Sequence, residues 1–257
     1  MLLAIDSGNT HITVGCVDRD NRVCASFRIP TDRADTDYGY AARIHQILTL
    51  QGIAPNGFCG AIVSCVVPSL TETLVRAVRI VTGHDALVVG AGIKTGLHIC
   101  INDPGTVASD LVAAAVAAKE EYPLPCIVVD MGTATTLTVV DAKGRYVGGA
   151  ILPGVELSMN ALTQGTALLP NVEITAPRSA IGANTVDCMK SGIVYGTAGA
   201  VDGLLDRFLE ALDVSPASIV ATGGMSATIC PHSRHKMHHD PTLLLKGLGA
   251  IWKKNQK

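Results

Sequence analysis

The apolar and polar positions of the first half of the chain predict strands alternating with helices. Short apolar runs predict strands at 2–5, 12–17 and 22–29, and a buried strand at 61–67 that Pro68 ends. Residues 36–51 predict an amphipathic helix with Tyr40, Ile44, Ile47 and Leu48 on one face. A helix at 69–82, a strand at 86–89 and an Ala- and Val-rich helix at 106–120 follow. This alternation is typical of an α/β fold.

The pattern restarts after Pro123-Leu124-Pro125 and indicates an internal repeat. Strands are predicted at 126–129, 135–140, 145–150 and 218–220. The segment Asp6-Ser7-Gly8 aligns with Asp130-Met131-Gly132, and residues 18–22 align with 141–145 after one gap. Two copies of strand, Asp-x-Gly turn, strand, turn and strand imply two similar halves. We expect an N-terminal domain at 1–117 and a C-terminal domain at 118–257.

Composition and charge narrow the class of protein. The chain has 257 residues, of which 48% are hydrophobic and 16% charged, and this excludes intrinsic disorder. Only 4% are aromatic, so the core is expected to be aliphatic. A net charge of -2 argues against a nucleic-acid partner, and the apolar runs are shorter than a membrane helix requires. No signal peptide is recognised, and the eight cysteines form no CxxC pair, which favours reduced thiols in the cytoplasm.

Glycine-rich hairpins are the main candidate chemistry. A turn without side chains lets backbone N–H groups approach phosphate oxygens, and Thr10 or Thr133 can add a hydroxyl donor. Asp6 or Asp130 can hold a metal ion that neutralises phosphate charge. Two such hairpins facing across a cleft could clamp a triphosphate, although either could also be only a tight turn. Ala221-Thr222-Gly223-Gly224 resembles a third nucleotide-contacting turn, whereas no Walker or GxGxxG pattern occurs.

A histidine cluster near the C-terminus leaves two interpretations, and its members are His232, His235, His238 and His239. His232, His235 and His238 are spaced so that they could bind a transition metal. The same segment contains Pro231 and Arg234, which favours an exposed loop before the final helix.

Several motifs, read together in order, carry a resemblance to a known family. They are Asp6-Ser7-Gly8-Asn9-Thr10, Ser64-Cys65-Val66-Val67-Pro68, Lys94-Thr95-Gly96-Leu97, Asp130-Met131-Gly132-Thr133-Ala134-Thr135-Thr136, Gly148-Gly149-Ala150-Ile151-Leu152-Pro153-Gly154, Asn184-Thr185, Ser191-Gly192 and Ala221-Thr222-Gly223-Gly224. The chain resembles type III pantothenate kinases, of the acetate-kinase/Hsp70/actin-like superfamily, over nearly its whole length. The resemblance implies two similar actin-like, ribonuclease H-like domains with mixed sheets flanked by helices.

The same resemblance implies an activity, cofactors and partners. It implies transfer of the ATP γ-phosphoryl group to the hydroxyl of pantothenate, the first step toward coenzyme A, with Mg²⁺ and a monovalent cation, K⁺ or NH₄⁺. It implies a homodimer whose acceptor pocket is shared across the interface. The implied ATP-binding residues are Asp6, Ser7, Gly8, Asn9, Thr10, His11, Ile12, Thr13 and Thr133. It implies that Asp130 binds the monovalent cation and that Asp110 is the catalytic base. The implied acceptor-binding residues are Ala108, Ser109, Asp110, Leu111 and, from the partner subunit, Thr185.

Departures from the family pattern gather on the acceptor side. The family has Arg where this chain has Leu111, Gly at Ala108, Tyr at Ile101, and Phe-Asp at Leu137-Thr138. Leucine offers no charge and no hydrogen bond to an anionic substrate. Three hypotheses therefore stand: a pantothenate kinase, a kinase for another small alcohol, and a catalytically degenerate nucleotide-binding or regulatory member. Asp110 itself could be a base or only an acidic residue that favours the start of a helix.

Overall fold

A computed structural model describes residues 1–212 and 218–256. Within them the strands are β1 (Leu2–Ser7), β2 (His11–Val17), β3 (Val23–Pro30), β4 (Gly60–Cys65), β5 (Ala86–Val88), β6 (His98–Ile99), β7 (Cys126–Met131), β8 (Ala134–Val140), β9 (Arg145–Pro153), β10 (Ser218–Thr222) and β11 (His238–His239). The α-helices are α1 (Asp37–Leu50), α2 (Thr71–Thr82), α3 (Ser109–Glu121), α4 (Val155–Gly165), α5 (Thr185–Leu212), α6 (Ser226–Ile229) and α7 (Leu243–Lys254).

The chain divides into two compact units, each built on one mixed sheet. Unit 1 comprises Met1–Leu97, Asn102–Glu120 and Thr242–Lys257, and unit 2 comprises His98–Ile101 and Glu121–Pro241. The predicted α/β class with mixed sheets and flanking helices is confirmed. The boundary expected between residues 117 and 118 stays a prediction.

The sheet of unit 1 has the order β3-β2-β1-β4-β5. β1 is antiparallel to β2 and parallel to β4, so it lies at the centre of the sheet. Its residues are buried on both faces, and Leu3 and Ile5 join the core formed with α1 and α2. Three of the four residues predicted to line the inner face of α1 are buried: Tyr40, Ile44 and Leu48.

The C-terminal helix α7 completes unit 1. It contacts β1, β2 and β4, although it lies more than a hundred residues after them in the chain. Gly60 fits beside the ring of Trp252. Gly247 lies against the backbone of Ala113 in α3, where an added Cβ would overlap the Ala113 carbonyl group. Small residues at these places let the helices and the sheet approach closely.

The sheet of unit 2 has the order β11-β10-β7-β8-β9-β6 and repeats the centre of the first sheet. β7 is antiparallel to β8 and parallel to β10, as β1 is to β2 and β4. The burial patterns of β1 and β7 are identical, and Asp6 and Asp130 are the one partly buried residue in each. Asp6 pairs with Ser64, and Asp130 pairs with Thr222 at the same register position.

The turns after β2 and β8 repeat the same hydrogen bonds. Asp18 Oδ1 accepts from the N–H groups of Asp20 and Arg22, at 2.8 and 2.9 Å. Asp141 Oδ1 accepts from the N–H groups of Lys143 and Arg145, both at 2.9 Å. A register irregularity in the sheet lies just before each turn, at Cys16/Val17 and at Val139/Val140. The predicted internal repeat is therefore confirmed down to individual turn contacts.

Three helical features differ from the sequence prediction. The helix expected at 106–120 begins at Ser109, because residues 104–106 form a separate 3₁₀ turn around Pro104. α4 and the 28-residue α5 were not predicted. Among the described residues, no helix combines the length and the apolar character needed to cross a bilayer.

Candidate active site

The first hairpin, residues 7–12, joins β1 to β2 in unit 1. Its turn is closed by the Gly8 N–H, which donates to the His11 carbonyl at 3.0 Å. Thr31 holds it from β3, because its hydroxyl donates to the Gly8 carbonyl at 2.8 Å and its N–H donates to the Thr10 carbonyl at 3.0 Å. Among the predicted ATP-binding residues, Asn9, Thr10 and His11 are exposed at the tip, whereas Ser7 and Ile12 are buried. Buried positions can offer a nucleotide only their backbone.

A chain of hydroxyl groups links Asp6, the residue just before this hairpin, to the start of α3. Ser64 Oγ lies 2.9 Å from Asp6 Oδ1 and 2.9 Å from Ser109 Oγ. Ser64 is fully buried and has one hydroxyl proton. Donating that proton to the carboxylate leaves the Ser64 oxygen to accept from Ser109. Two candidate site segments 103 residues apart in sequence, at Asp6 and Ser109, are thus joined by Ser64.

Asp110 follows directly in the first turn of α3. Its Oδ1 accepts a hydrogen bond from the Leu111 N–H at 2.7 Å. Burial raises the pKa of this carboxyl group, and backbone hydrogen bonds from Leu111 and Asp110 only partly oppose that rise. A carboxylate that is costly to keep ionised gains by taking a proton. A raised pKa is what a general base needs, and burial alone also produces it in a structural carboxyl group.

The second hairpin, Met131–Thr135, lies in unit 2 and is packed against two glycines. Its Gly132 N–H donates to the Ala134 carbonyl at 3.1 Å. An added Cβ at Gly154 would lie 2.6 Å from the Gly132 carbonyl oxygen and would overlap that of Thr133. Gly223 lies in the turn after β10 and has a φ of +87°. It packs against Asp130 and Met131 as closely as Gly154 packs against Gly132 and Thr133. Both glycines belong to the motifs that carried the resemblance.

The third turn, residues 222–225, is fixed to the second hairpin by a backbone bond. The Met225 N–H donates to the Met131 carbonyl at 3.1 Å. The Val66 N–H makes the corresponding bond to Ser7 in unit 1, at 3.0 Å. The segment after the parallel neighbour strand therefore supports the hairpin in the same way in both halves. Thr133 and Gly132 remain exposed beside it.

The predicted acceptor residues lie on several elements. Ala108 is exposed just before α3, and Ser109 and Leu111 are partly buried in its first turn. Thr185 is the exposed first residue of α5, where Asn184 Oδ1 accepts from the Asp187 N–H at 2.9 Å. The structure joins Asp6, Ser109 and Asp110 within unit 1. Asp130, Thr133 and Thr185 belong to unit 2.

The histidine segment precedes α7 and leaves Arg234, His238 and His239 exposed, while hydrogen bonds to α5 hold part of it in place. Asp202 of α5 is buried and accepts hydrogen bonds from the Ser233 hydroxyl and, at 3.0 Å, from the Arg234 N–H. Burial opposes its ionisation, yet the hydrogen bonds from Ser233, Arg234 and His235 lower the pKa of Asp202 overall. His235 Nε2 lies 2.7 Å from Asp206 Oδ1. Over the described ranges, no group of three or more His, Cys, Asp or Glu side chains could hold a metal.

Sequence reasoning missed Ser226 and the contacts of Ser64 and His239, although His239 belonged to the histidine cluster. Ser64 opened one of the quoted motifs, so its position was visible but its contact with Ser109 was not. Ser226 and His239 are 13 residues apart and meet at 2.9 Å.

Comparisons with known proteins decide the family. A family model described as type III pantothenate kinase matches residues 2–207. A type III pantothenate kinase of Shouchella clausii is 40% identical over 256 residues, covering all of both chains. The chain belongs to the type III pantothenate kinase family. The predicted family is thereby confirmed.

Solved structures agree on the fold. A Campylobacter jejuni protein named for the Baf family of transcriptional activators aligns over 98% of both chains, with a TM-score of 0.61 at 19% identity. An activator of 2-hydroxyisocaproyl-CoA dehydratase from Clostridium difficile, solved with bound ADPNP, covers 100% of this chain and 98% of its own, with a TM-score of 0.57 at 11% identity. Because these structures are less than 20% identical to the chain in sequence, their similarity shows a shared α/β fold and nothing more.

Proposed function

We propose that this chain phosphorylates pantothenate with ATP, giving 4'-phosphopantothenate in the first step of coenzyme A biosynthesis. Membership of the type III pantothenate kinase family supports this activity. The observation that carries the residue-level proposal is the chain from Asp6 through Ser64 to Ser109. It ties the first glycine hairpin to the helix turn that bears the candidate base Asp110.

Asp110 acts as the general base. Its carboxylate accepts a hydrogen bond from the pantothenate hydroxyl, orients the oxygen toward the γ-phosphorus, and takes the proton as the new O–P bond forms. The bond from the γ-phosphorus to the bridging oxygen breaks, and ADP leaves with that electron pair. The raised pKa of Asp110 improves the match between the carboxylate and this proton transfer.

Both hairpins contact the nucleotide in this proposal. The exposed tip residues Asn9, Thr10 and His11, and the exposed Thr133, supply donors to phosphate oxygens. Asp6, Ser7, Gly8, Ile12 and Thr13 contribute through backbone or by shaping the turn. Mg²⁺ enters as part of the ATP complex, because phosphate oxygens are among its preferred ligands.

Asp130 holds the monovalent cation. Its carboxylate is partly buried, and Gly223 lets the backbone of the third turn approach Oδ1 so closely that a Cβ there would overlap it. A carboxylate oxygen is a hard donor of the kind that K⁺ or NH₄⁺ accepts. The cation would reduce the negative charge around the phosphates. Asp130→Ala should remove the dependence of nucleotide affinity on K⁺, as measured by calorimetry in K⁺ and in Na⁺, and an unchanged dependence would refute the assignment.

The acceptor site uses Ala108–Leu111 and Thr185 from a second copy of the chain. Exposed apolar side chains on β9, α4 and α5 support a homodimer, including Ile151 at 75% exposed, Leu157 at 51% and Tyr195 at 36%. The exposed face of α5 also carries Gly192, Gly196 and Gly199, where an added Cβ would meet nothing. A soluble monomer rarely leaves such a surface uncovered. We place the protein in the cytoplasm, since all eight cysteines are free thiols.

The deciding experiment measures phosphopantothenate formation with ATP, Mg²⁺ and K⁺. Wild type should turn over, Asp110→Asn should lose at least about a hundredfold in kcat, and Asp85→Asn, which changes an exposed aspartate of the same unit, should match wild type. Turnover of another small alcohol but not pantothenate would identify a different acceptor. Nucleotide binding without any turnover would leave a regulatory protein and overturn the proposal.

A further inference from the structure

The two-residue strand β11 brings His239 to the end of β10. It runs parallel to β10, with Val220 opposite His238 and Ala221 opposite His239. The Asp240 N–H then donates to the Ala221 carbonyl at 2.9 Å and extends the pairing. His239 therefore lies beside the carboxyl end of β10, from which Thr222 leads into the third turn.

The imidazole of His239 contacts Ser226, which in turn is hydrogen-bonded to the third turn. Ser226 Oγ lies 2.9 Å from His239 Nε2 and 2.6 Å from the Gly223 carbonyl oxygen. Ser226 is fully buried, whereas His239 is exposed. The Gly223 carbonyl also accepts the Ser226 N–H, at 3.3 Å. Ser226 thus bridges the exposed imidazole and the glycine turn.

Donor and acceptor counting fixes the direction of these bonds. The Gly223 carbonyl can only accept, so the single hydroxyl proton of Ser226 goes to it. The Ser226 oxygen must then accept from His239, which requires a proton on Nε2. The neutral imidazole is consequently the Nε2–H tautomer, and a protonated imidazole would make the same bond. A serine that gives its proton to a carbonyl group is not activated as a nucleophile, so this pair is no hydrolytic dyad.

The turn that His239 supports has little room to move. An added Cβ at Gly223 would lie 2.6 Å from the backbone nitrogen of Met131 and would overlap Asp130 Oδ1. The orientation of the Gly223 carbonyl therefore determines how the third turn lies against the second hairpin. Losing the donor at His239 would free the Ser226 hydroxyl to rotate and would loosen that carbonyl.

We propose that His239 is a positioning residue for nucleotide binding, acting through Ser226 on the Gly223 turn. This inference rests on the proposed function, because it assumes that the third turn and the second hairpin bind ATP. His239 itself need not touch the nucleotide. The neighbouring His238 serves as an internal control, since its ring faces Tyr122 at a centroid distance of 5.9 Å.

Two substitutions separate this role from general packing. The amide nitrogen of Gln reaches about as far along the side chain as Nε2 of His, whereas that of Asn reaches only about as far as Nδ1. His239→Gln should therefore keep the bond to Ser226, and His239→Asn should lose it. Loss of one neutral hydrogen bond corresponds to about a three- to tenfold weaker affinity. We expect that increase in the Kd of a non-hydrolysable ATP analogue for His239→Asn, and near wild-type values for His239→Gln and His238→Gln.

A double-mutant cycle and a spectrum complete the test. Ser226→Ala should weaken nucleotide binding as His239→Asn does, and the double variant should be no weaker than either single one. Long-range ¹H–¹⁵N spectra of the imidazoles of wild type should show His239 with its proton on Nε2 at high pH. An Nδ1–H tautomer, or equal affinities of the Asn and Gln variants, would overturn the positioning role alone. Failure of wild type to bind the analogue at all would overturn the proposed function together with this inference.

Discussion

Replacing Gly223 with alanine tests whether the third turn is fitted against the second hairpin. The residue has a φ of +87°, which costs an L-residue roughly 1–2 kcal/mol. The new methyl group would also lie 2.6 Å from the backbone of Met131, and overpacking of this kind costs about 1–3 kcal/mol. The Gly223→Ala variant should therefore lose about 2–5 kcal/mol of unfolding free energy. That is a large share of the roughly 5–15 kcal/mol that stabilises a typical protein.

The chain supplies a matched control for the backbone contribution. Gly83 ends α2 with a φ of +73°, but an added Cβ there would meet nothing within 4 Å. Gly83→Ala should cost only the backbone part, about 1–2 kcal/mol. Urea unfolding followed by circular dichroism gives both free energies, and the difference between them isolates the contact with Asp130 and Met131. Titration with an ATP analogue should show weaker binding for the Gly223 variant only.

Equal losses of stability in the two variants would refute the reasoning. In that case the third turn would have space to accept a methyl group, and the conclusion that it packs closely against the second hairpin would be wrong. A Gly223 variant that lost stability but kept full nucleotide affinity would confirm the close packing of the third turn and would refute its role in nucleotide binding.

Three further predictions concern ionisable and charged groups. Leu111→Arg should lower the KM for pantothenate by about ten- to a hundredfold, because a guanidinium can pair with its carboxylate, and should leave the KM for ATP unchanged. Burial raises the pKa of Asp110, and the base must be ionised to act. As the pH is lowered, kcat should therefore begin to fall at a higher pH than it would with an ordinary aspartate, which a pH–rate profile would show. Asp202→Asn should cost about 1.5–3 kcal/mol near neutral pH. The pKa of Asp202 is lowered in the folded protein. The stability that its carboxylate contributes is therefore complete above the unfolded pKa of about 3.9 and is lost as the pH falls through the lower folded pKa. The urea midpoints of variant and wild type should converge at that low pH.

Much of the fold could be predicted because its signals are local. The strands around Asp6 and Asp130 are short apolar runs bounded by glycine turns, and the alignment of these two segments predicted that the strand pattern repeats. α5 could not be predicted in the same way, because Gly192, Gly196, Gly199 and Gly203 interrupt its helical signal. Tertiary packing of Ile193, Val194 and Ala198 on the second sheet overrides that weak propensity.

The candidate site could be predicted only where it follows the chain. The hairpin residues and Asp110 were found from local motifs and from the family resemblance. The bond between Ser64 and Ser109 joins residues 45 positions apart, and the bond between Asp202 and Ser233 joins residues 31 apart. Such pairings depend on how strands and helices are arranged in space, and neither periodicity nor spacing encodes that directly. The hydrogen bonds that attach the histidine segment to Asp202 could not be predicted for this reason.

The place of α7 in unit 1 has a consequence for synthesis of the protein. The ribosome releases β1, β4 and α3 well before α7, the helix that packs against them and follows α3 by more than a hundred residues. About 120 residues separate the end of α3 from the start of α7, which corresponds to roughly 6–24 s of translation at about 5–20 residues per second. During that interval the face of the first sheet that will receive Leu245 and Trp252 is already synthesised and still uncovered by its own helix. The nascent chain is therefore expected to need a chaperone or rapid synthesis most in its second half, after its two glycine-rich hairpins have been made.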